Sequence, residues 1–90
     1  SLAGEVGLRK AAAARVAERV LNEALISNQM RGSSSTGTAR EGAQQFQWEM
    51  RSESWVQTPD MKLITVRVTY PVQGRNYQVA LSTLVNANSL

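Results

Sequence analysis

Apolar positions recur with a helical period up to about residue 30 and with a period of two from residue 44 onward. The first pattern predicts one helix from about Val6 to Met30. Ala11 to Ala14 are the strongest helix formers in it, and Leu, Arg, Glu and Gln follow. At about 100° per residue, Val6, Ala13, Ala17, Val20, Leu21 and Ala24 share one face. Arg31 and then Gly32 read as a basic last turn and a stop. Ile26 and Met30, at i and i+4, lie roughly opposite Val20 and Ala24. Over its last turns the helix is therefore apolar on two sides. One side covers a sheet, and the other is exposed or meets a partner.

Residues 32–43 are small and polar without periodicity and read as a flexible loop. In the first strand, about Gln44 to Val56, Phe46, Trp48 and Met50 alternate with Gln45, Gln47, Glu49 and Arg51. Thr58-Pro59-Asp60 breaks it. The second strand, Lys62 to Tyr70, alternates Ile64, Val66, Val68 and Tyr70 with Thr65, Arg67 and Thr69, and Pro71 is expected to end it. Gln73-Gly74 turns the chain into a third strand, Asn76 to Val85, with Tyr77, Val79 and Leu81 on one face. Residues 86–90 form a tail. Short connections imply antiparallel neighbours.

The fold class is α+β. One long N-terminal helix packs on a small three- to four-stranded antiparallel sheet, and residues 1–90 form one domain. The strands bury their inner faces against Val20, Leu21, Ala24 and Leu25. A helix of this length measures about 37 Å at roughly 1.5 Å per residue. Its first half, Val6 to about Val16, is expected to overhang the sheet.

Composition narrows the chemistry. The chain has no cysteine and no histidine, so disulfides, thiolate metal sites and the commonest general base are absent. The net charge of +3 is a mild excess, with no run of three basic residues. The aromatics are spread along strands rather than set among basic clusters, so nucleic acid is not an expected partner. No stretch of about 20 apolar residues reads as a membrane-spanning helix, and no signal-peptide pattern is present.

Candidate sites reduce to plain readings. Gly32 to Thr38 has the look of a phosphate loop, but Thr38 stands where the Lys is needed and no strand precedes it. Glu49 and Glu53 fall on one strand face about 13 Å apart, too far for a glycosidase pair, with Arg51 and Arg67 as ordinary partners. Lys10 and Lys62 have no serine singled out by spacing. Asp60 with Asn86 and Asn88 is too thin for calcium. No cofactor, metal or small-molecule substrate is expected. Trp48 belongs with Phe46 and Met50 in the core. Trp55, seven residues on, lies on the outer face unless a bulge turns it in. The helix remains the best functional candidate. Val6, Leu8, Ala11 to Ala14 and Val16 are small and apolar, so neighbouring helices can approach closely.

The layout and several segments together resemble minor pseudopilin I of the bacterial type II secretion system. The resembling stretches are Ala17-Glu18-Arg19-Val20-Leu21-Asn22-Glu23, Gln47-Trp48-Glu49, Thr58-Pro59-Asp60 before Leu63-Ile64-Thr65-Val66-Arg67-Val68, and Leu81-Ser82-Thr83-Leu84-Val85. Arg19 stands where the family usually has Asn. The family's basic leader, processing-site Gly and apolar helix with an early Glu are missing from this sequence, and are expected to have been removed from it. The helical pattern begins without a convincing N-cap, so Ser1 to about Val6 is expected to be partly foreign to the natural protein. The resemblance implies a pilin-like fold and a non-enzymatic role. It implies a periplasmic domain of a single-pass inner-membrane protein, held by a transmembrane helix absent from this stretch. Its partners would be the J and K minor pseudopilins, in a tip complex that starts a pseudopilus and helps export folded proteins. The expected partner contacts on the helix are Ala13, Val16, Val20, Ile26 and Met30. A type IV minor pilin would share this layout. A free-standing module that binds a peptide at a strand edge is the alternative from another class.

Overall fold

A computed structural model describes residues 1–27 and 34–86. Helix α1 spans Leu2–Ser27, and strands β1 (Ser34–Glu41), β2 (Gln44–Ser54), β3 (Met61–Val72) and β4 (Arg75–Asn86) follow it. The strands form one antiparallel meander in the order β1-β2-β3-β4, so the expected α+β arrangement holds with four strands.

The helix begins four residues earlier than its apolar period suggests. Ser1 caps it: its Oγ accepts the Gly4 N–H at 3.2 Å, and its carbonyl accepts the Glu5 N–H at 3.0 Å. The expectation of a start without an N-cap is thus corrected. The expected end at Met30, Arg31 and Gly32 lies outside the described residues.

The expected helix face is the buried one. Ala13, Ala17, Val20, Leu21 and Ala24 are buried, and Val6 and Leu25 pack against them. Facing them are Phe46 and Met50 of β2 and Ile64, Val66, Val68, Tyr70 and Val72 of β3. Tyr77, Val79, Leu81 and Val85 of β4 complete this surface. The helix lies chiefly over β3 and β4. Tyr70 joins the two halves of the core. Its ring meets Phe46 edge-on with centroids 6.2 Å apart and stacks on Tyr77 at 5.7 Å.

Three further expectations fail for identifiable reasons. Residues 34–41 of the presumed loop form strand β1, paired with β2 from Ser34↔Arg51 to Glu41↔Gln44. This strand carries Ser35, Gly37 and Ala39 where large apolar residues would mark an inner face. Gly37 is the reason it needs none there. A Cβ at Gly37 would lie 2.5 Å from Trp48 Cζ2, so the indole covers the bare glycine backbone. Secondly, Pro71 does not end β3. Pairing with β4 continues to Val72↔Arg75, whereas the ladder to β2 stops at Gln47↔Thr69. At Pro71 only one neighbour remains, so the missing N–H costs little. Thirdly, the first half of the helix does not overhang. Ala12, Ala13 and Val16 are buried, and the side chains of Glu5 and Arg9 reach the β3–β4 turn.

That turn is Gln73-Gly74, with both residues at positive φ (50° and 81°), the two-residue geometry that matches strand twist.

Candidate interaction surface

Five helix residues were expected to meet a partner, and they have three different fates. Ala13 and Val16 are wholly inaccessible and Val20 is buried, so all three belong to the chain's own core. They are not available to another helix while this fold persists, which corrects their assignment as partner contacts. The cause is the small side chains of Ala12, Ala13, Ala17 and Ala24, which let the helix approach its own sheet closely. Ile26 is 87 % exposed and keeps its place on the outer side. Met30 lies outside the described residues.

Two polar clamps fix the helix, and neither was legible in the sequence. At its first turns Arg9 Nη1 donates to the Pro71 carbonyl at 2.7 Å and Arg9 Nη2 lies 3.4 Å from Glu5. Gln73 Nε2 donates to the other Glu5 oxygen at 3.1 Å. At mid-helix, Arg15 Nε donates to Glu41 Oε1 at 2.7 Å, and Arg19 Nη1 lies 3.4 Å from Oε2. Arg19 Nη2 also donates to the Arg40 carbonyl at 2.8 Å. The Arg15 hydrogen bond, outweighing desolvation, holds the Glu41 carboxyl below the usual carboxylate range, with the Arg15 and Arg19 charges adding to it. Arg15 and Arg19 are i, i+4 neighbours and so share a helix flank. Glu41 is too remote in sequence for any pattern to reveal it.

The outer face of the sheet is polar. Register aligns Thr38, Gln47, Thr69 and Gln78 in one row across all four strands. Together with Thr36, Glu49 and Arg67 they line an open trough of about 460 Å³. Glu49 accepts a hydrogen bond from Arg51 Nε at 2.9 Å, and Arg67 is its cross-strand partner by register. Glu49 is thus charge-paired on the sheet face, whereas Glu53 is exposed opposite Leu63. Thr65 is buried and shares a 2.8 Å hydrogen bond with Ser82. Among the described residues no three His, Cys, Asp or Glu side chains gather as a metal site.

Trp55 follows the end of β2, half-buried, with no bulge in the β2–β3 register. Its N–H donates to the Met61 carbonyl at 3.0 Å, and its carbonyl accepts the Thr58 N–H at 3.2 Å. The loop, rather than either strand face, houses it. Val56 beside it is 96 % exposed. Of Gly32 to Thr38, where a phosphate loop is not expected, residues 34–38 lie in β1, and Gly32 and Ser33 fall outside the described residues.

No family model matches the chain, and no curated protein or solved structure matches it either.

What the surface offers is docking by exposed apolar side chains and strand edges. On the helix, Leu8 is 76 % exposed. It lies about five turns from Ile26 at roughly 3.6 residues per turn, and so on the same bearing. Between them Ala11, Arg15, Glu18 and Asn22 form a mixed stripe on the outer side. The helical period singles out Ile26 on this side, whereas it sets Leu8 with the small residues of the first half.

Proposed function

We propose that this chain is a structural subunit of the pseudopilin class, a minor pseudopilin I of a type II secretion system. It acts by packing with the J and K minor pseudopilins into the tip that starts a pseudopilus. One observation carries the reading: a single N-terminal helix lies over a four-stranded antiparallel meander, in the element order the resemblance implies. The resembling segments fall on distinct elements. Ala17 to Glu23 lie in α1, Gln47 to Glu49 in β2, Leu63 to Val68 in β3 and Leu81 to Val85 in β4. In this reading the domain is periplasmic and belongs to a single-pass inner-membrane protein whose transmembrane helix is not in this stretch. It carries no cofactor and turns over no substrate.

The partner-facing residues move with the fold. Leu8 and Ile26 take the role first given to Ala13, Val16 and Val20. Both are exposed apolar side chains on the outer side of α1, where an apolar neighbour would bury them.

Two measurements test this. Mass spectrometry of membrane extracts would read the N-terminus of the full-length protein. An N-methylated residue opening an apolar segment of about 20 residues supports the class, and its absence removes it. Co-purification with the J- and K-type subunits tests the surface. Leu8→Glu and Ile26→Glu should each keep the fold and lose the partners. Undiminished co-purification by both would sink this placement.

A further inference from the structure

The two edges of the sheet are finished differently. Strand β1 is eight residues long and ends in Arg40 and Glu41, which the helix arginines bind. Strand β4 is twelve residues long and pairs with β3 residue for residue, without a bulge, from Met61↔Asn86 to Val72↔Arg75. From Asn76 to Val85 it contains no charged residue, no Pro and no Gly. Charges, prolines, bulges and short length are how natural sheets keep an edge from pairing, and this stretch of β4 has none of them. Along an antiparallel edge, alternate residues point both N–H and C=O outward. Among the described residues no strand pairs with that side of β4. Its helix-side row, Tyr77, Val79, Leu81 and Val85, is only partly buried. Its other row includes the exposed Gln78, Ala80, Ser82 and Leu84.

We propose that β4 joins two copies of this chain, strand antiparallel to strand about a two-fold axis, so that two four-stranded sheets become one. A second copy fits this edge for reasons of pattern and charge. Both strands have the same period of two, so one register family sets apolar row against apolar row. The neutral stretch meets itself without like charges facing each other. Arg75, the one charge on β4, is carried to the far end of the copy. There Asp60 and Lys62 flank Met61, the neighbour of Asn86, and cancel. Both helices fall on the same side of the joined sheet, where each copy's Tyr77, Val79, Leu81 and Val85 shield the other's. The contact is isologous and closes at two copies. It rests on β4 alone and stands apart from the pseudopilin reading.

Sedimentation of the 90-residue chain between about 1 μM and 1 mM tests it. The expected mass rises toward twice 9.9 kDa. Gln78→Lys and Ala80→Lys, at exposed outward positions, should keep the circular dichroism melt and weaken the dimer at least about tenfold. Thr38→Lys, on the outer face of β1, should not. The chain has no cysteine, so Gln78→Cys or Ala80→Cys should give disulfide-linked dimers under mild oxidation. A chain that stays monomeric at the highest concentration overturns the proposal. So does a dimer that Thr38→Lys or Ile26→Glu weakens as much as the β4 substitutions do. Failure of the pseudopilin reading appears instead as lost N-methylation or unaltered co-purification.

Discussion

The two halves of the sheet reach the same architecture by different means. The β3–β4 half is covered by the helix, and its inner row of Ile64, Val66, Val68, Tyr70 and Val72 is buried against Ala13, Val16, Ala17 and Val20. The β1–β2 half has little helix above it. There the indole of Trp48 lies over Gly37, and a charged strap from Arg15 and Arg19 to Glu41 ties the hairpin to the helix. One half is held by apolar burial, which is strong and depends on neither charge screening nor titration. The other half lends Phe46 and Met50 to that core, but its outer strand β1 is held by one aromatic lid and exposed ion pairs, and the ion pairs are weaker and respond to both. The molecule should therefore lose its two halves unequally under stress.

The largest effect is expected where helix and sheet meet. Val16→Glu puts a carboxylate at a position with no solvent access, among apolar core side chains. Burial of an unpaired charge costs about 4 kcal/mol or more, against a total stability of about 5–15 kcal/mol for a domain. Thermal melts followed by circular dichroism should show a largely unfolded chain at room temperature. A cooperative melt near wild type would mean that the helix does not rest on β3 as described.

Next comes Gly37→Ala in the other half. The added Cβ would sit 2.5 Å from Trp48 Cζ2 and 2.8 Å from Cε2, so the ring has to move. Overpacking of this kind costs about 1–3 kcal/mol. The expected signs are a lower melting temperature and a red-shifted Trp emission as the indole gains water. Trp55 also emits, so the experiment is cleaner in a Trp55→Phe background. An unshifted spectrum would leave the glycine without a packing role.

The same contrast decides what the sequence made legible. Strands β2, β3 and β4 announce themselves because one face is buried, and burial of one face writes a period of two into Phe46, Trp48, Met50, Ile64, Val66 and Val68. Strand β1 has no such face to bury. Its inner positions are Ser35, Gly37 and Ala39, and its partner β2 supplies the covering side chain. Thr36 and Thr38 were the only local hint. The helix shows the opposite error. The apolar period marks its buried face, yet Ala13 and Val20 of that face, with Val16 beside it, also stand among the expected partner contacts. Periodicity tells which residues are apolar, and it does not tell how far around a helix of alanines the sheet can reach. Val16 was lost to that ambiguity, and Leu8 and Ile26 are what remains of the candidate surface.

A smaller effect sharpens the charged side of the comparison. The Glu41 carboxyl is held below its ordinary range, so folding favours its ionised form. Its contribution is complete above the unfolded carboxylate pKa and is lost as pH falls through the lower folded value. Acid below about pH 4.5, the ordinary value for this group, should therefore loosen the β1–β2 hairpin before the helix–β3 core. Glu41→Gln should lower the melting temperature at neutral pH and reduce this acid sensitivity, and added salt should narrow the difference between the two proteins. Hydrogen exchange of β1 amides against β3 amides reads the effect directly. Equal protection loss in both strands on acidification would contradict an unequal hold on the two halves.

The smallest effect on the fold is expected at Ile26. Its side chain is 87 % exposed and is absent from the buried core. A substitution there should change stability by no more than about 0.5 kcal/mol. Ile26→Glu therefore separates two kinds of apolar residue on one helix, only ten positions from Val16. If the melt of Ile26→Glu overlays wild type while Val16→Glu unfolds, the fold needs the inner stripe alone. Conservation of folding with loss of a partner would then assign the outer stripe to assembly. If Ile26→Glu unfolds the domain, the exposed end of the helix is holding structure in place, and its use as a contact surface has to be given up.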